Sequence, residues 1–349
     1  MRAVVYQAFQ APPAVVEVPE PALAADGAIV RVEATGLCRS DWHGWRGHDA
    51  DIVPPHIPGH EFAGTIAALG ADVAGDWRIG DRVTAPFVAA CGVCPTCLAG
   101  DHQICDAQEQ PGFTYHGSFA ELVAVPRAAV NLVRLPDALD FVTGASLGCR
   151  FATAYRAVTM QGRIRAGEWL AVFGCGGVGL SAVMIGASTG AHVVAVDVSA
   201  AALAAARDAG AEVTVDAAIA DVAAAVRDAT GGGAHVTVDA LGSQATAIAA
   251  VSSLRKRGRH VQVGLLVGDD ARPPLPMELV IARELEIRGS HGLSARDYPA
   301  MLDAIIEGRL RPDRLVGRTI GLDDAPAALM AMGGPPATPG MTVIRPNDR

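Results

Sequence analysis

Leu170-Ala171-Val172-Phe173-Gly174-Cys175-Gly176-Gly177-Val178-Gly179 is the stretch that decides the fold of this 349-residue chain. Four apolar residues read as a short strand, the glycines follow in a G-x-G-x-x-G pattern, and a helical run begins at Leu180. In this context the first glycine makes a tight turn, the second lets a pyrophosphate approach the backbone, and the third lets helix and strand pack closely. The stretch therefore predicts a βαβ nucleotide-binding unit.

An acidic residue ends the next predicted strand. Asp197 follows Val193-Val194-Ala195-Val196, where a carboxylate can accept hydrogen bonds from both hydroxyls of an adenosine ribose. The alternative is a glycine-rich turn that binds nothing and an Asp that caps a helix. The register of strand, turn, helix and acid favours a dinucleotide. Repulsion between Asp197 and a 2′-phosphate favours NAD over NADP.

The rest of the chain predicts two domains and a return segment. Residues 151–289 alternate strands with helical runs, which predicts a doubly wound parallel sheet of the Rossmann type in an α/β domain. Residues 1–150 alternate short β-rich runs with Pro/Gly-rich loops, which predicts a mostly β domain. Residues 290–349 are too few for a domain, so they are expected to pack back on the first one.

Composition narrows the class of partner. The net charge is −9 and no block of basic residues occurs, so neither nucleic acid nor an anionic membrane is expected to bind. Residues 169–196 contain no Asp, Glu, Lys or Arg, and this run is long enough for a membrane span. Their glycines interrupt the apolar run and argue against one. The N-terminal residues show no secretory signal, so a cytoplasmic protein with a small-molecule partner is expected.

A cysteine cluster predicts a structural zinc site. Cys91, Cys94, Cys97 and Cys105 have the spacing C-x2-C-x2-C-x7-C, which lets four thiolates meet at one tetrahedral ion. Disulfides are the alternative, but they fit a small secreted domain better than a chain of this length. Four thiolates leave zinc no open position, so the cluster is expected to order a loop rather than perform chemistry.

Two further segments carry residue types that bind metals. Cys38-Arg39-Ser40-Asp41-Trp42-His43 supplies a thiolate, a hydroxyl, a carboxylate and an imidazole, and Pro58-Gly59-His60-Glu61 supplies adjacent His and Glu. Spacing alone does not make these segments a site, because buried free cysteines and histidines without a ligand role are common.

These motifs, with Gly148-Cys149 ahead of the nucleotide-binding half, resemble in type and order the zinc-dependent medium-chain alcohol dehydrogenases over essentially the whole chain. The resemblance implies that the first domain is a GroES-like catalytic domain. It implies a catalytic zinc held by Cys38, His60 and Cys149, with Glu61 beside the metal and able to bind it transiently. Asp41 would then fix the tautomer of His60.

The resemblance also implies a reaction and its cofactors, NAD and two zinc ions. An alcohol would bind zinc through oxygen, lose its proton along Ser40, the nicotinamide ribose and His43, and give a hydride to NAD, leaving an aldehyde or ketone. The residues that would contact the cofactor are Arg39, Thr153, Gly174, Gly176, Gly177, Val178, Gly179, Asp197, Val263, Gly264, Leu265, Ser290 and His291.

Three positions depart from the pattern of the family. Ala202 and Met341 stand where basic residues that contact the cofactor are often found, which predicts weaker NAD binding. Arg150, directly after a predicted metal ligand, has no explanation in the sequence.

Two other functions stay open. Asp49 and Asp51, near the expected mouth of the pocket, favour a polyol or sugar-alcohol dehydrogenase, whereas Phe87 matches a position that lines an apolar substrate channel. A non-catalytic, zinc-stabilised nucleotide sensor would need neither an open zinc site nor Ser40. The resemblance also implies a homo-oligomer, a tetramer or a dimer.

Overall fold

The computed structural model describes residues 1–334 and 340–348. Its strands are β1 (Arg2–Val5), β2 (Ala14–Glu17), β3 (Ala28–Leu37), β4 (Glu61–Leu69), β5 (Arg82–Thr84), β6 (Leu122–Val125), β7 (Val133–Arg134), β8 (Trp169–Phe173), β9 (His192–Asp197), β10 (Val213–Asp216), β11 (Ala234–Asp239), β12 (Leu254–Gln262), β13 (Glu286–Gly289), β14 (Val316–Gly321) and β15 (Met341–Arg345). Its α-helices are α1 (Arg39–Trp45), α2 (Pro95–Leu98), α3 (Ala128–Asn131), α4 (Phe141–Ser146), α5 (Ala152–Tyr155), α6 (Gly177–Ser188), α7 (Ala200–Asp208), α8 (Val222–Ala229), α9 (Gln244–Ser252), α10 (Met277–Arg283), α11 (Tyr298–Ile306) and α12 (Ala325–Ala331).

The chain divides into two compact units. Unit 1 contains Met1–Ala152, Gly292–Ile306 and Val316–Arg349, and unit 2 contains Thr153–His291 and Glu307–Leu315. The segment 307–315, expected to pack on the first domain with the rest of the return segment, groups with unit 2 instead.

Unit 2 is built on a six-stranded sheet in the order β10-β9-β8-β11-β12-β13, in which every pair of neighbours is parallel. The central strands are buried along most of their length because helices cover both faces of a doubly wound sheet. The chain winds outward from β8 to β10 and then returns to β11 beside β8. The predicted Rossmann-type sheet is confirmed, and the carboxyl ends of β8 and β11 form its switch point, where such sheets bind ligands.

Unit 1 is built on a mixed sheet in the order β14-β15-β3-β4-β5-β7, with β6 also paired to β3. Strands β3 and β4 pair antiparallel along most of their length, and Gly36 lies opposite Glu61. Strand β15, from the C-terminal segment, pairs antiparallel with the end of β3, with Thr342 opposite Leu37. This pairing places β15 beside the end of β3, which leads directly to the predicted metal ligand Cys38.

The stretch from Trp169 to Asp197 is a strand, a helix and a second strand. Its helix, α6, covers only Gly177–Ser188. Within residues 1–334 and 340–348, no helix combines the length and the apolar character needed to cross a membrane.

Candidate metal and cofactor sites

Four side chains from three distant segments meet in unit 1. The ligand atoms of Cys38, His60, Glu61 and Cys149 all lie within 4.8 Å of one another. Cys38 precedes α1 directly after β3, and His60 and Glu61 stand at the start of β4, so the antiparallel pairing of these strands brings the two segments together. Cys149 lies on a π-helical turn, Leu147–Phe151, which follows α4. Such turns are often found at functional sites.

Asp41 holds the ring of His60. Its Oδ1 lies 2.9 Å from Nδ1 of His60 and accepts from the backbone amide of Gly59 at 3.0 Å, while its Oδ2 accepts from the amide of Cys38 at 2.8 Å. The other ring nitrogen, Nε2, is buried and has no hydrogen-bond partner among the described residues. An orphaned imidazole nitrogen that faces two thiols fits a metal ligand oriented by a carboxylate behind it.

The pKa values of the two thiols in this group shift in opposite directions. A hydrogen bond from Cys149 holds the pKa of the Cys38 thiol well below its usual range, against the effect of burial. The same hydrogen bond, together with burial, holds the pKa of Cys149 well above its usual range. For His60, burial works to lower the pKa, but Asp41 and Cys38 raise it well above the ordinary value. Two cysteines with one imidazole match a catalytic zinc site with an open fourth position.

Arg150, unexplained in the sequence, is the partner of Glu61. Its Nη2 lies 2.5 Å from Oε2 of Glu61 and its Nε lies 3.1 Å from Oε1. Burial raises the pKa of the Glu61 carboxyl, and Arg150 opposes that rise. Burial also works to lower the pKa of Arg150, yet the carboxylate beside it raises that pKa overall. The two form a buried ion pair.

The predicted proton-relay residues occupy the same helix as Arg39. The Oγ of Ser40 lies 3.8 Å from Sγ of Cys38. His43 contacts a residue that the sequence did not single out, because its Nδ1 lies 2.9 Å from Nδ1 of His48. Burial, followed by the neighbouring His48 and Arg39, lowers the pKa of His43. The ring of His43 contacts an exposed imidazole.

The second metal group is the predicted cysteine cluster. The sulfur atoms of Cys91, Cys94, Cys97 and Cys105 form one set with mutual distances within 4.8 Å. Sγ of Cys91 lies 3.9 Å from that of Cys97, and Sγ of Cys94 lies 3.8 Å from that of Cys105. These separations match thiolates around one tetrahedral zinc and are far longer than the ~2.05 Å of a disulfide bond. All seven cysteines are free, which rules out the disulfide alternative in this structure.

The glycine-rich turn of unit 2 has the geometry of a phosphate cradle. Gly174 has a φ of +88°, and a Cβ at Gly179 would lie 1.8 Å from the carbonyl oxygen of Gly174, so only glycine fits there. A Cβ at Gly176 would meet no atom within 4 Å. The turn thus leaves open space at its second glycine, where a dinucleotide pyrophosphate approaches the backbone, and the helix with Gly177, Val178 and Gly179 begins directly behind it.

The carboxylate of Asp197 is hydrogen-bonded to the backbone of this turn. Its Oδ2 accepts from the amide of Cys175 at 2.7 Å, and its Oδ1 accepts from the amide of Ser199 at 2.9 Å. The carboxylate is thereby fixed at the carboxyl end of β9, beside the glycines. It stands where an adenosine ribose is bound in folds of this type.

The other predicted cofactor residues of unit 2 cluster after its strands. The amides of Val263 and Gly264 donate to the carbonyl oxygen of Asp239 at 3.0 and 2.8 Å, and Leu265 beside them is exposed. Ser290 follows β13 and His291 follows Ser290. Oγ atoms of Thr153 and Ser290 are buried without a hydrogen-bond partner in the described chain, so both hydroxyls are available to a ligand.

Arg39 and two of the departures from the family pattern, Met341 and Ala202, each have a defined place in the structure. Arg39, in unit 1, stacks on the ring of Trp42 at 4.3 Å and donates to the carbonyl oxygen of Met332. Met341 is 1 % exposed within β15, so its side chain belongs to the apolar core. Ala202 lies in the first turn of α7, and its amide donates to Ser199.

Two family models match this chain. The alcohol dehydrogenase GroES-like domain matches residues 24–137, and the zinc-binding dehydrogenase family matches residues 177–307. An alcohol dehydrogenase of Geobacillus stearothermophilus is 34% identical over 314 residues, which cover 89% of this chain and 90% of that one. A sorbitol dehydrogenase of Halalkalibacterium halodurans is 31% identical over 87% of both chains.

Solved structures agree with this match. The crystal structure of an NAD-dependent alcohol dehydrogenase superposes with a TM-score of 0.88 at 30% identity, over 99% of this chain and 100% of that one.

Proposed function

Because this chain belongs to the zinc-dependent medium-chain alcohol dehydrogenases, we propose that it oxidises a primary or secondary alcohol with NAD and, in reverse, reduces the aldehyde or ketone. The observation that carries the proposal is the group formed by Cys38, His60 and Cys149, in which the buried Nε2 of His60 has no hydrogen-bond partner among the described residues and faces the two thiols. A purely structural zinc site would be closed by a fourth protein ligand, as the Cys91 cluster is.

Separate sets of residues would bind the zinc ion and the NAD cofactor. Cys38, His60 and Cys149 would hold zinc, which supplies a Lewis acid for the substrate oxygen while NAD supplies the hydride acceptor. Asp41 would keep the proton of His60 on Nδ1, which leaves Nε2 free for the metal. In unit 2 the open face of Gly176 would receive the pyrophosphate and Asp197 would bind the ribose.

Proton removal would depend on α1. Ser40, 3.8 Å from the metal-binding sulfur of Cys38, would accept the proton of the substrate hydroxyl while giving up its own toward the nicotinamide ribose. His43, in contact with His48, would accept a proton at the outer end of this path and release it to solvent. Burial lowers the pKa of His43, which favours the neutral form of its ring.

Ser40→Ala is expected to lower kcat by about 100-fold or more, since positioned proton transfer contributes roughly 10²–10⁴-fold. The affinity for NAD should fall far less than turnover, because the other predicted cofactor contacts remain. His43→Gln should cost less, as water can replace the outer member of a relay. Steady-state kinetics and NAD titration on both variants check this, and normal turnover in Ser40→Ala would eliminate the relay.

NADH absorbance, recorded with a panel of simple alcohols and polyols, tests the proposed reaction. We expect turnover of simple alcohols with NAD and a lower kcat/KM with NADP, because Asp197 would repel a 2′-phosphate. A sugar alcohol is the second candidate substrate, favoured by the sorbitol dehydrogenase relative and by Asp49, whose Oδ1 accepts from the amide of Asp51. Preference for polyols would select it, and preference for NADP would refute the role given to Asp197.

We propose further that the protein is a cytoplasmic homotetramer, with a homodimer as the alternative. Seven free cysteines suit a reducing compartment. Strand β13 lies at the edge of its sheet, and Ile281 on the preceding helix is 78 % exposed, which suits contact with a second copy. The mass in solution by light scattering tests the assembly, and a monomer would contradict it.

A further inference from the structure

Glu61 is the one member of the catalytic group whose role the donor set leaves undecided. Its carboxylate lies within the same 4.8 Å set as the sulfur atoms of Cys38 and Cys149 and the imidazole of His60, so it is close enough to compete for a metal. It is also completely buried, with 0 % exposure. A buried carboxylate needs a compensating cation, which could be either a metal or a side chain.

The structure shows that a side chain fills this need. Oε1 of Glu61 accepts from three donors, the amide of Cys149 at 3.2 Å and the amide and Nε of Arg150 at 2.9 and 3.1 Å. Oε2 accepts from Nη2 of Arg150 at 2.5 Å. The carboxylate thus accepts from four donors, three at Oε1 and one at Oε2. The planar fork of arginine holds both oxygens at once, as a single ammonium would not.

The backbone around the pair is shaped to fit it. A Cβ at Gly36, on β3 opposite Glu61, would lie 2.3 Å from Oε2 and 2.9 Å from Nη2 of Arg150. A Cβ at Gly148 would lie 2.9 Å from Cα of Glu61. The hydroxyl of Tyr298 donates to the carbonyl oxygen of Gly148 at 3.2 Å and holds the π-helical turn in place. The pair is thus enclosed by two close backbone approaches and by an anchored turn.

We propose that Arg150 is a positioning residue that keeps Glu61 out of the zinc coordination and so reserves the fourth position for the substrate. The inference rests on the proposed function. Arg150, which directly follows the metal ligand Cys149, neutralises Glu61, the nearest carboxylate that could compete for the metal. Without Arg150, the buried carboxylate would lose its ion-pair partner while still lying within 4.8 Å of the atoms of Cys38, His60 and Cys149 that would hold the metal.

The test uses cobalt in place of zinc, because the visible absorption of Co²⁺ loses intensity when its coordination rises from four to five ligands. Arg150→Gln is expected to show this loss, and Arg150→Gln/Glu61→Gln is expected to regain the wild-type spectrum. Subtracting the wild-type spectrum cancels the contribution of the Cys91 cluster. In the zinc enzyme, Arg150→Gln should raise KM for the alcohol and lower kcat/KM roughly 10–100-fold, the usual range for changes among the residues that surround a metal site.

Three further variants keep the proposal falsifiable. Glu61→Gln alone should leave the cobalt spectrum unchanged, since Glu61 is no ligand while Arg150 is present, and this holds even if Arg150→Gln does not fold. Arg150→Lys keeps the charge but loses the fork, so it should show a partial loss. Arg156→Gln, which replaces another buried arginine, should show none and controls for general damage.

A change of spectrum in Glu61→Gln would overturn the inference. So would a wild-type spectrum in Arg150→Gln, or a loss in that variant that removal of Glu61 does not reverse. In each of these cases cobalt has still loaded, and the proposed function stands. If no cobalt binds at Cys38, His60 and Cys149, the proposed function fails and the inference falls with it.

Discussion

Replacing Cys149 by serine is expected to abolish alcohol oxidation while leaving the melting temperature of the protein close to that of the wild type. A serine hydroxyl stays protonated at neutral pH and is a poor ligand for zinc, so the set with Cys38 and His60 loses a thiolate. A Lewis acid contributes several kcal/mol to such a reaction, which corresponds to at least about a thousandfold in kcat/KM.

The fold is expected to survive this change. The turn that carries Cys149 is held independently by the ion pair of Arg150 with Glu61 and by the hydrogen bond from Tyr298 to Gly148. Cys175→Ser, at a buried cysteine outside both metal groups, is the matched control and should keep the full zinc content. An active Cys149→Ser enzyme would show that this thiolate is not a catalytic ligand.

Replacing Cys94 by serine is expected to have the opposite effect, a loss of stability that precedes any loss of chemistry. Apart from α2 and a single turn at His102–Ile104, the segment from Cys91 to Cys105 has no regular secondary structure, and its small core consists of Ala90, Cys97 and Cys105 with Val130 packed beside them. The metal therefore supplies much of the energy that orders this loop.

The expected size follows from that dependence. Loss of a structural metal belongs to the large destabilising class, here about 3 kcal/mol or more, and a domain of this size then melts roughly 6–12 °C lower. Calorimetry measures the shift, and light scattering shows whether subunits separate. A Cys94→Ser protein that is as stable as the wild type but inactive would exchange the structural and catalytic labels of the two groups.

The features that the sequence predicts best are those encoded within a few neighbouring residues. The turn from Gly174 to Gly179 and the cluster from Cys91 to Cys105 carry their geometry in local spacing, so the sequence alone is enough to place both. The doubly wound sheet follows from alternating strands and helices. Residues 290–349 are too few to form a domain, which predicts that they pack back on the first one, and their strand β15 pairs with β3.

The catalytic group cannot be derived in this way. Cys38, His60 and Cys149 lie far apart in the chain, and only the pairing of β3 with β4 and the π-helical turn bring them together. Their spacing alone is compatible with unrelated buried side chains, and the resemblance to a family supplies their roles. The direction in which a side chain points depends on packing, so the contacts of Arg150 with Glu61 and of His43 with His48 are visible only in the folded chain.

Elemental analysis of the purified protein and its two cysteine variants tests the central claim, one open and one closed zinc site on the same chain, most directly. We expect about two zinc ions per chain in the wild type and about one in each of Cys149→Ser and Cys94→Ser. A wild-type protein with one zinc ion would remove one of the two assignments, and a protein without zinc would contradict the whole account.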